Sequence, residues 1–336
     1  IEGINYILIP LFFILIFTSI LMKRKINISL FLLLMVGMVY GLVLYFYRTS
    51  DTGAFFPISF LIYICLICFY VKLHPYDVKN FLYTTNFCYL IYLSLSLACY
   101  FLLPSYYRSI SLEFFSVRAF HGIEGTPASI DSFSIFVFLI NFFYNNSKLK
   151  WLVFIVILTV IIFSGTTTPF LILIVVALSY FFLTVIKSPS LLICLFFISM
   201  FSVFWLSLNN TEISDLLLLF TSGRNMIWNL QIQNLDWGNL LLGDVAGSTV
   251  EIFWGQGETN NPHNAFLFLL LRFGFLITFS LIILLIVNVR NKSKKQQLLI
   301  LAFLAAGISN STVMYIGNPF YLYMLGFCLT KERLID

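Results

Sequence analysis

Long runs of apolar residues constrain this chain more than any other feature of its sequence. A helix needs about 20 apolar residues to cross the hydrocarbon core of a bilayer. Hydrophobic residues make up 60% of the chain and charged residues only 10%, whereas a soluble domain is about one quarter charged. Because a backbone in lipid must satisfy its own hydrogen bonds, these runs are predicted to be helices. We therefore predict an all-α, polytopic membrane protein with a single transmembrane domain over residues 1–336.

The apolar runs define about eleven predicted transmembrane helices, most of them bounded by proline, whose missing N–H is tolerated at a helix end. The predicted spans are 4–22, 28–47, 57–73, 79–103, 128–144, 151–164, 169–186, 190–208, 263–288, 297–310 and 318–330. The first run is followed, not preceded, by Lys23-Arg24-Lys25. A signal peptide has its charges before the apolar run, so we expect a retained span, in a sequence whose first residue is Ile and whose true N-terminus is therefore missing.

The six cysteines all lie inside apolar runs. Cys65 and Cys68 have the spacing of a redox or metal pair, but their neighbours are Ile and Leu and no His or acid is near. Buried apolar thiols are the favoured interpretation. We expect no disulfide, no bound metal and no cofactor.

Basic residues predict the orientation of the chain, because they concentrate on cytoplasmic loops. All of the lysines fall in alternate loops, which assigns those loops and the C-terminus to the cytoplasm and residue 1 to the outside. The basic residues left on the outer side are all arginines: Arg48, Arg108, Arg118, Arg224 and Arg272. A guanidinium binds phosphate or carboxylate through two parallel bonds, which lysine cannot do. The alternative is that some of these arginines snorkel or pair with acids.

Segment 208–262 is the only large predicted extramembrane piece, and a loop of this length favours function. Within it, Thr221 or Ser222 is a plausible N-cap for a surface helix from about 223 to 236. Arg224 would then lie in the first turn, where the helix dipole attracts anions. At the end of the loop, His263 is predicted in the first turn of a long helix. Arg272 lies deeper in the same helix, and an ionisable residue inside a span is a functional candidate.

These segments resemble the signature region of the O-antigen ligase and polymerase superfamily. The resemblance rests on Ser222-Gly223-Arg224 with Trp228, then Leu241-Leu242-Gly243, then His263-Asn264 with Leu267 and Gly274. Upstream, Val117 to Gly122, followed by Pro127, is similar to the family's first periplasmic arginine motif. Ser164-Gly165-Thr166-Thr167-Thr168 is similar to a short family turn, with threonine in place of the usual arginine.

The resemblance implies a GT-C-like enzyme of the bacterial inner membrane, with its active site on the periplasmic side. The implied reaction is metal-independent, inverting transfer of a glycan from undecaprenyl diphosphate to another lipid-linked repeat unit. It implies that Arg118 and Arg224 bind the diphosphate, with Arg272 as a plausible third, and that His263 activates the acceptor hydroxyl. The implied partners are the lipid-linked oligosaccharide, membrane lipids and a chain-length regulator protein, with no nucleic acid.

Each of these assignments has an alternative. The arginines could be structural ion-pair partners, and His263 could cap the helix or bind sugar. Residues that could bind sugar, or replace His263 as the base, form a second group: Asp244, Glu251, Glu258, Asn264 and His121.

Three other functions stay open at the level of the sequence. A ligase would transfer the glycan to lipid A–core, although the short chain and modest loop favour a polymerase. A transporter or flippase would need mid-membrane ionisable residues, and the acids here are predicted in loops or at span ends. An assembly subunit is the last alternative.

Overall fold

The computed structural model describes residues 78–102, 109–112, 115–118, 120, 127–166, 168–209, 224–233, 235–243, 250–252, 257–259, 263–290 and 292–309. The predicted spans 4–22, 28–47, 57–73 and 318–330 lie outside the described residues. So do His121 and Asp244.

Helices account for most of the described residues, as predicted. In chain order they are α1 (Val78–Leu102), α2 (Pro127–Tyr144), α3 (Lys150–Ser164), α4 (Thr168–Val185), α5 (Pro189–Asn209), α6 (Arg224–Gln233), α7 (Trp237–Leu242), α8 (Ala265–Val289) and α9 (Lys294–Ser309). Seven of them coincide with predicted spans to within a few residues. Among the described residues, Val78–Leu102, Thr168–Val185 and Ala265–Val287 are long and apolar enough to cross a membrane. Ile130–Tyr144, Lys150–Ser164 and Pro189–Ser202 are shorter apolar helices.

Two small antiparallel hairpins are an addition to the predicted all-α fold. Strands β1 (Ser109–Leu112) and β2 (Phe115–Arg118) form the first, and β3 (Val250–Ile252) and β4 (Gly257–Thr259) form the second. Each strand has only three or four residues, too few to give an alternating pattern that stands out from the loops. The hairpins lie in segments 104–127 and 208–262, which the predicted spans leave as loops.

The described residues divide into two compact units. The first, which we call the Asp131 unit, comprises α1, the β1–β2 hairpin, α2, α3, α4 and α9. The second, the His263 unit, comprises α5, α6, α7, the β3–β4 hairpin and α8. The prediction of a single transmembrane domain stays a prediction.

Helix α2 is the centre of the Asp131 unit, where it contacts α1, α3, α4 and α9. Every residue from Ile130 to Val137 is buried. A helix that is buried on all sides is a core helix of its bundle. Two polar pairs tie it to α1: Asn86 and Asn141 exchange amide hydrogen bonds of 3.1 and 2.7 Å, and the Tyr89 hydroxyl lies 2.8 Å from that of Ser134.

The turn between α3 and α4 closes against α2. Helix α3 ends at Ser164, and Gly165 follows it in the left-handed region with φ of 67°, the conformation that glycine adopts most readily after a helix. The Phe120 backbone N–H donates to the carbonyl of Phe163 at 2.9 Å. Thr166 then donates a hydrogen bond to Asp131 of α2.

In the His263 unit, α8 contacts α5 and α7, and α6 contacts α5 and β3. Phe197 of α5 meets Phe266 of α8 edge to face, with ring centres 5.1 Å apart. Helix α8 is interrupted at Gly274, whose φ of 72° and ψ of 176° are not helical. These contacts hold the first turn of α8 beside α5, and that turn begins next to His263.

Candidate functional site

The start of α8 is fixed by Asn264, which is fully buried. Its backbone is extended, and its side-chain oxygen accepts hydrogen bonds from the backbone N–H groups of Phe266 and Leu267 at 3.0 and 2.9 Å. This is an N-cap, which satisfies two of the donors that a helix leaves open at its first turn. Asn264 therefore has a structural task of its own.

His263 stands immediately before that cap, so its predicted place in the first turn is wrong by two residues. Its φ is 51°, a left-handed conformation that is uncommon outside glycine. The helix begins at Ala265 because the Asn264 carboxamide takes the capping position. His263 is partly buried and lies at the N-terminal end of α8, where N–H dipoles point outward.

Arg224 is the first residue of α6, as the loop sequence predicts. It is partly buried, and the residues beneath it on the same helix are Ile227 and Trp228, both buried. A cation in the first turn of a helix is disfavoured by the dipole. The same position offers backbone N–H groups to an anion. The Arg224 side chain and the N-terminal end of α6 together favour a site for a negatively charged group.

Arg224 lies close enough to His263 to affect the charge of the imidazole. Burial, and then the positive charge of the Arg224 guanidinium, lower the pKa of His263 from its ordinary 6.5 to about 4. Burial also lowers the pKa of Arg224. At neutral pH the imidazole is therefore uncharged, with a lone pair available to accept a proton. The pair combines a cation and a neutral base at the starts of two helices.

Arg272 lies two turns further along α8 and is only 7% exposed. Its guanidinium carbon is 5.7 Å from the centre of the Phe268 ring, one turn back on the same helix, within cation–π distance. The backbone of Arg272 and Gly274 is in direct contact with Gly243 at the end of α7. Arg272 is thus held at the point where α7 and α8 touch.

An apolar groove of about 640 Å³ runs beside these helices in the His263 unit. Phe201 and Trp205 of α5 line one side, and Ile232 of α6 and Leu267 of α8 belong to the helices that begin at Arg224 and beside His263. Such a lining suits a hydrocarbon chain. The groove thus shares helices α6 and α8 with Arg224 and the residue after His263, although its lining residues are other positions of these helices.

For three of the remaining predicted site residues the structure gives the backbone position, and the other two lie outside the described residues. Arg118 is the last residue of β2, opposite Ser109, in the Asp131 unit. Glu251 and Glu258 are direct partners across the β3–β4 hairpin, and β3 contacts α6. The gathering of Arg118 with Arg224, and the roles of Asp244 and His121, stay predictions.

Sequence reasoning missed two buried polar residues. Asp131 was assigned to a span end, yet it is fully buried in α2. Gln231 of α6 is also fully buried, and neither amide atom has a hydrogen-bond partner. Gln231 lies seven residues after Arg224, so both residues are on one face of α6, and this helical spacing was the signal available in the sequence.

Comparison with protein-family models, with curated proteins and with solved structures gives no match.

Proposed function

We propose that this chain is an eleven-span, GT-C-like polymerase of lipid-linked polysaccharide repeat units in the bacterial inner membrane. It transfers a glycan from undecaprenyl diphosphate to a sugar hydroxyl of another lipid-linked unit, with inversion, at the periplasmic face. The single observation that carries the proposal is the proximity of Arg224 to His263, at the starts of α6 and α8.

Arg224 is the group that receives the leaving diphosphate. As the bond between the anomeric carbon and the diphosphate oxygen breaks, its electron pair stays on that oxygen, so the already anionic diphosphate gains one more negative charge. A fixed guanidinium at the positive end of the α6 dipole stabilises that charge as it develops. The groove lined by Phe201 and Trp205 is apolar, as a binding site for a polyprenyl chain requires.

His263 is the group that accepts the proton of the attacking hydroxyl. The hydroxyl oxygen forms the new glycosidic bond, and its proton passes to the imidazole. A base with a pKa of about 4 is weak at neutral pH. The negative diphosphate offsets the positive charge of Arg224, which raises the pKa of His263 and strengthens the base when the donor is bound.

A transporter is the second candidate, and one observation favours it. Asp131 is a fully buried acid in an apolar helix, and intramembrane acids are typical of coupled transport. Ion-gradient-dependent uptake into proteoliposomes, without elongation of glycan, would replace the polymerase proposal by this one.

Complementation separates the enzyme classes. The chain is expressed in one host that lacks its O-antigen polymerase and in another that lacks its ligase, each supplied with this chain's own repeat-unit pathway. We expect ladders of long glycan in the first host only. Ladders attached to lipid A–core in the second host alone would identify a ligase and contradict the polymerase proposal.

A further inference from the structure

A buried carboxyl group in the Asp131 unit has no place in the proposed reaction. Asp131 is 0% exposed. One carboxyl oxygen, Oδ2, accepts a hydrogen bond from the Thr166 hydroxyl, and the other, Oδ1, has no hydrogen-bond partner. No lysine, arginine or histidine of the described residues forms an ion pair with it. An ionised carboxylate in such a site is very costly, so its charge must be removed or compensated.

The hydroxyl groups around Asp131 favour a neutral, protonated carboxyl group. The Ser164 hydroxyl lies near the Asp131 carboxyl group, but its hydrogen bond is donated to the carbonyl of Ile161 at 2.8 Å. A hydroxyl has one proton. Because the Ser164 proton is directed to Ile161, the Ser164 oxygen is a nearby acceptor for the proton of a neutral Asp131.

The charged and titratable groups on the helices around α2 do not compensate for the charge. Tyr89 of α1 faces Asp131, and its hydroxyl contacts Ser134 at 2.8 Å. At the opposite end of α2, Lys295 of α9 donates to the carbonyl of Phe143, twelve residues away. Lys294 lies over the ring of Tyr180 of α4. Lys150 starts α3, whose other end holds Ser164.

We propose that Asp131, Ser164 and Thr166 form an intramembrane proton-binding site that holds the α3–α4 turn against α2. In the closed arrangement Asp131 is a neutral carboxylic acid. When the carboxylic O–H bond breaks, the proton passes to water and the carboxylate that remains requires hydration, so the turn must separate from α2. Raising the pH therefore favours the open arrangement, since the closed form binds one more proton. The proposal does not depend on the glycosyltransferase assignment.

Infrared spectroscopy of the purified full chain in nanodiscs tests the protonation directly. We expect the carbonyl band of a buried carboxylic acid at acidic pH, its loss as the pH is raised, and its absence from Asp131→Asn. Asp236→Asn is the matched control, because Asp236 is an exposed N-cap carboxylate and should leave the band intact. Absence of the band from wild type at every pH would overturn the proposal.

Hydrogen exchange of residues 161–166 tests the structural consequence. Wild type and Asp131→Asn are compared at each pH, so that intrinsic exchange rates cancel. We expect exchange in wild type to rise by up to about tenfold per pH unit relative to the variant, over the pH range in which the closed form holds the proton and opening releases it. Equal exchange at every pH would overturn the switch, as would a carboxylic acid band that persists unchanged to alkaline pH.

A second variant covers the case in which Asp131→Asn does not fold. Thr166→Val removes the hydroxyl that donates to the ionised Asp131 carboxylate. The carboxylic acid band of this variant should therefore persist to a higher pH than the band of wild type. A band that disappears at the same pH in both proteins would contradict the assigned contact.

Discussion

Gly243 and Gly274 touch backbone to backbone, 31 positions apart in the sequence. A Cβ atom on Gly243 would overlap the carbonyl of Arg272, and one on Gly274 would overlap the carbonyl of Leu241. Both residues also have positive φ, 81° and 72°, which L side chains rarely adopt. The contact lets α7 meet α8 at the interruption in α8, beside Arg272.

Replacement of either glycine by alanine should destabilise the protein. Overpacking of this kind costs about 1–3 kcal/mol, and backbone atoms yield less than side chains. Thermal unfolding in detergent measures the effect. Ser280→Ala, an exposed change on the same helix, is the control and should have a small effect. A Gly274→Ala protein as stable as this control would contradict the contact.

Two variants of Asn264 distinguish a helix-capping role of this residue from a sugar-binding role. Asn264→Ala should lower the free energy of unfolding by about 1 kcal/mol, whereas Asn264→Ser retains a capping oxygen and should lose less. Unfolding and glycan elongation are measured on the same preparations. If Asn264→Ser kept its stability but lost elongation, the carboxamide would have a role in substrate binding as well.

The proximity of Arg224 to His263 can be measured without substrate. In wild type the His263 imidazole should titrate near pH 4. Arg224→Gln removes the nearby positive charge and should raise the pKa of His263, although burial keeps it below 6.5. Nuclear magnetic resonance of ¹⁵N-labelled histidine reads the titration, with His263→Gln to assign the signal. The same pKa in wild type and Arg224→Gln would show that the two groups do not interact.

The lowered pKa of His263 also predicts how stability depends on pH. The unfolded imidazole has a pKa near 6.5 and the folded one near 4, so the unfolded state binds more protons between these values. Stability is therefore unaffected by this group above about pH 7 and is lost as the pH falls from 6.5 to 4. The unfolding midpoint of His263→Gln should fall less over that window. Parallel pH profiles for the two proteins would contradict the assigned burial.

The helices were predictable because their signal is local. Apolar runs beginning near Pro127, Pro169 and Pro189 predicted α2, α4 and α5 to within a few residues, since lipid and core both require long apolar helices. Proline is tolerated in the first turn of a helix, so it marks the start from the local sequence alone. Arg224 was likewise placed in a first turn from the residues around it.

The features that could not be predicted from the sequence depend on contacts between residues far apart in the chain. Asp131 is four residues inside α2, and only contact with Ser164 and Thr166 shows that it is enclosed. The approach of Gly243 to Gly274 joins two helices through backbone atoms, which leave no side-chain pattern. The start of α8 was misplaced because Asn264 and His263 are both reasonable first residues, and only the capping hydrogen bonds decide between them.

Arg224 is proposed to bind a lipid diphosphate through two parallel hydrogen bonds, and Arg224→Lys tests this binding. Purified wild type, Arg224→Lys and His263→Gln are reconstituted in proteoliposomes with undecaprenyl-diphosphate-linked repeat units, and elongation of the glycan is followed by gel. Lysine keeps the charge but cannot form two parallel bonds. We expect Arg224→Lys to lose about 10²-fold in rate with an unchanged unfolding midpoint. Elongation at the wild-type rate by Arg224→Lys would contradict the account.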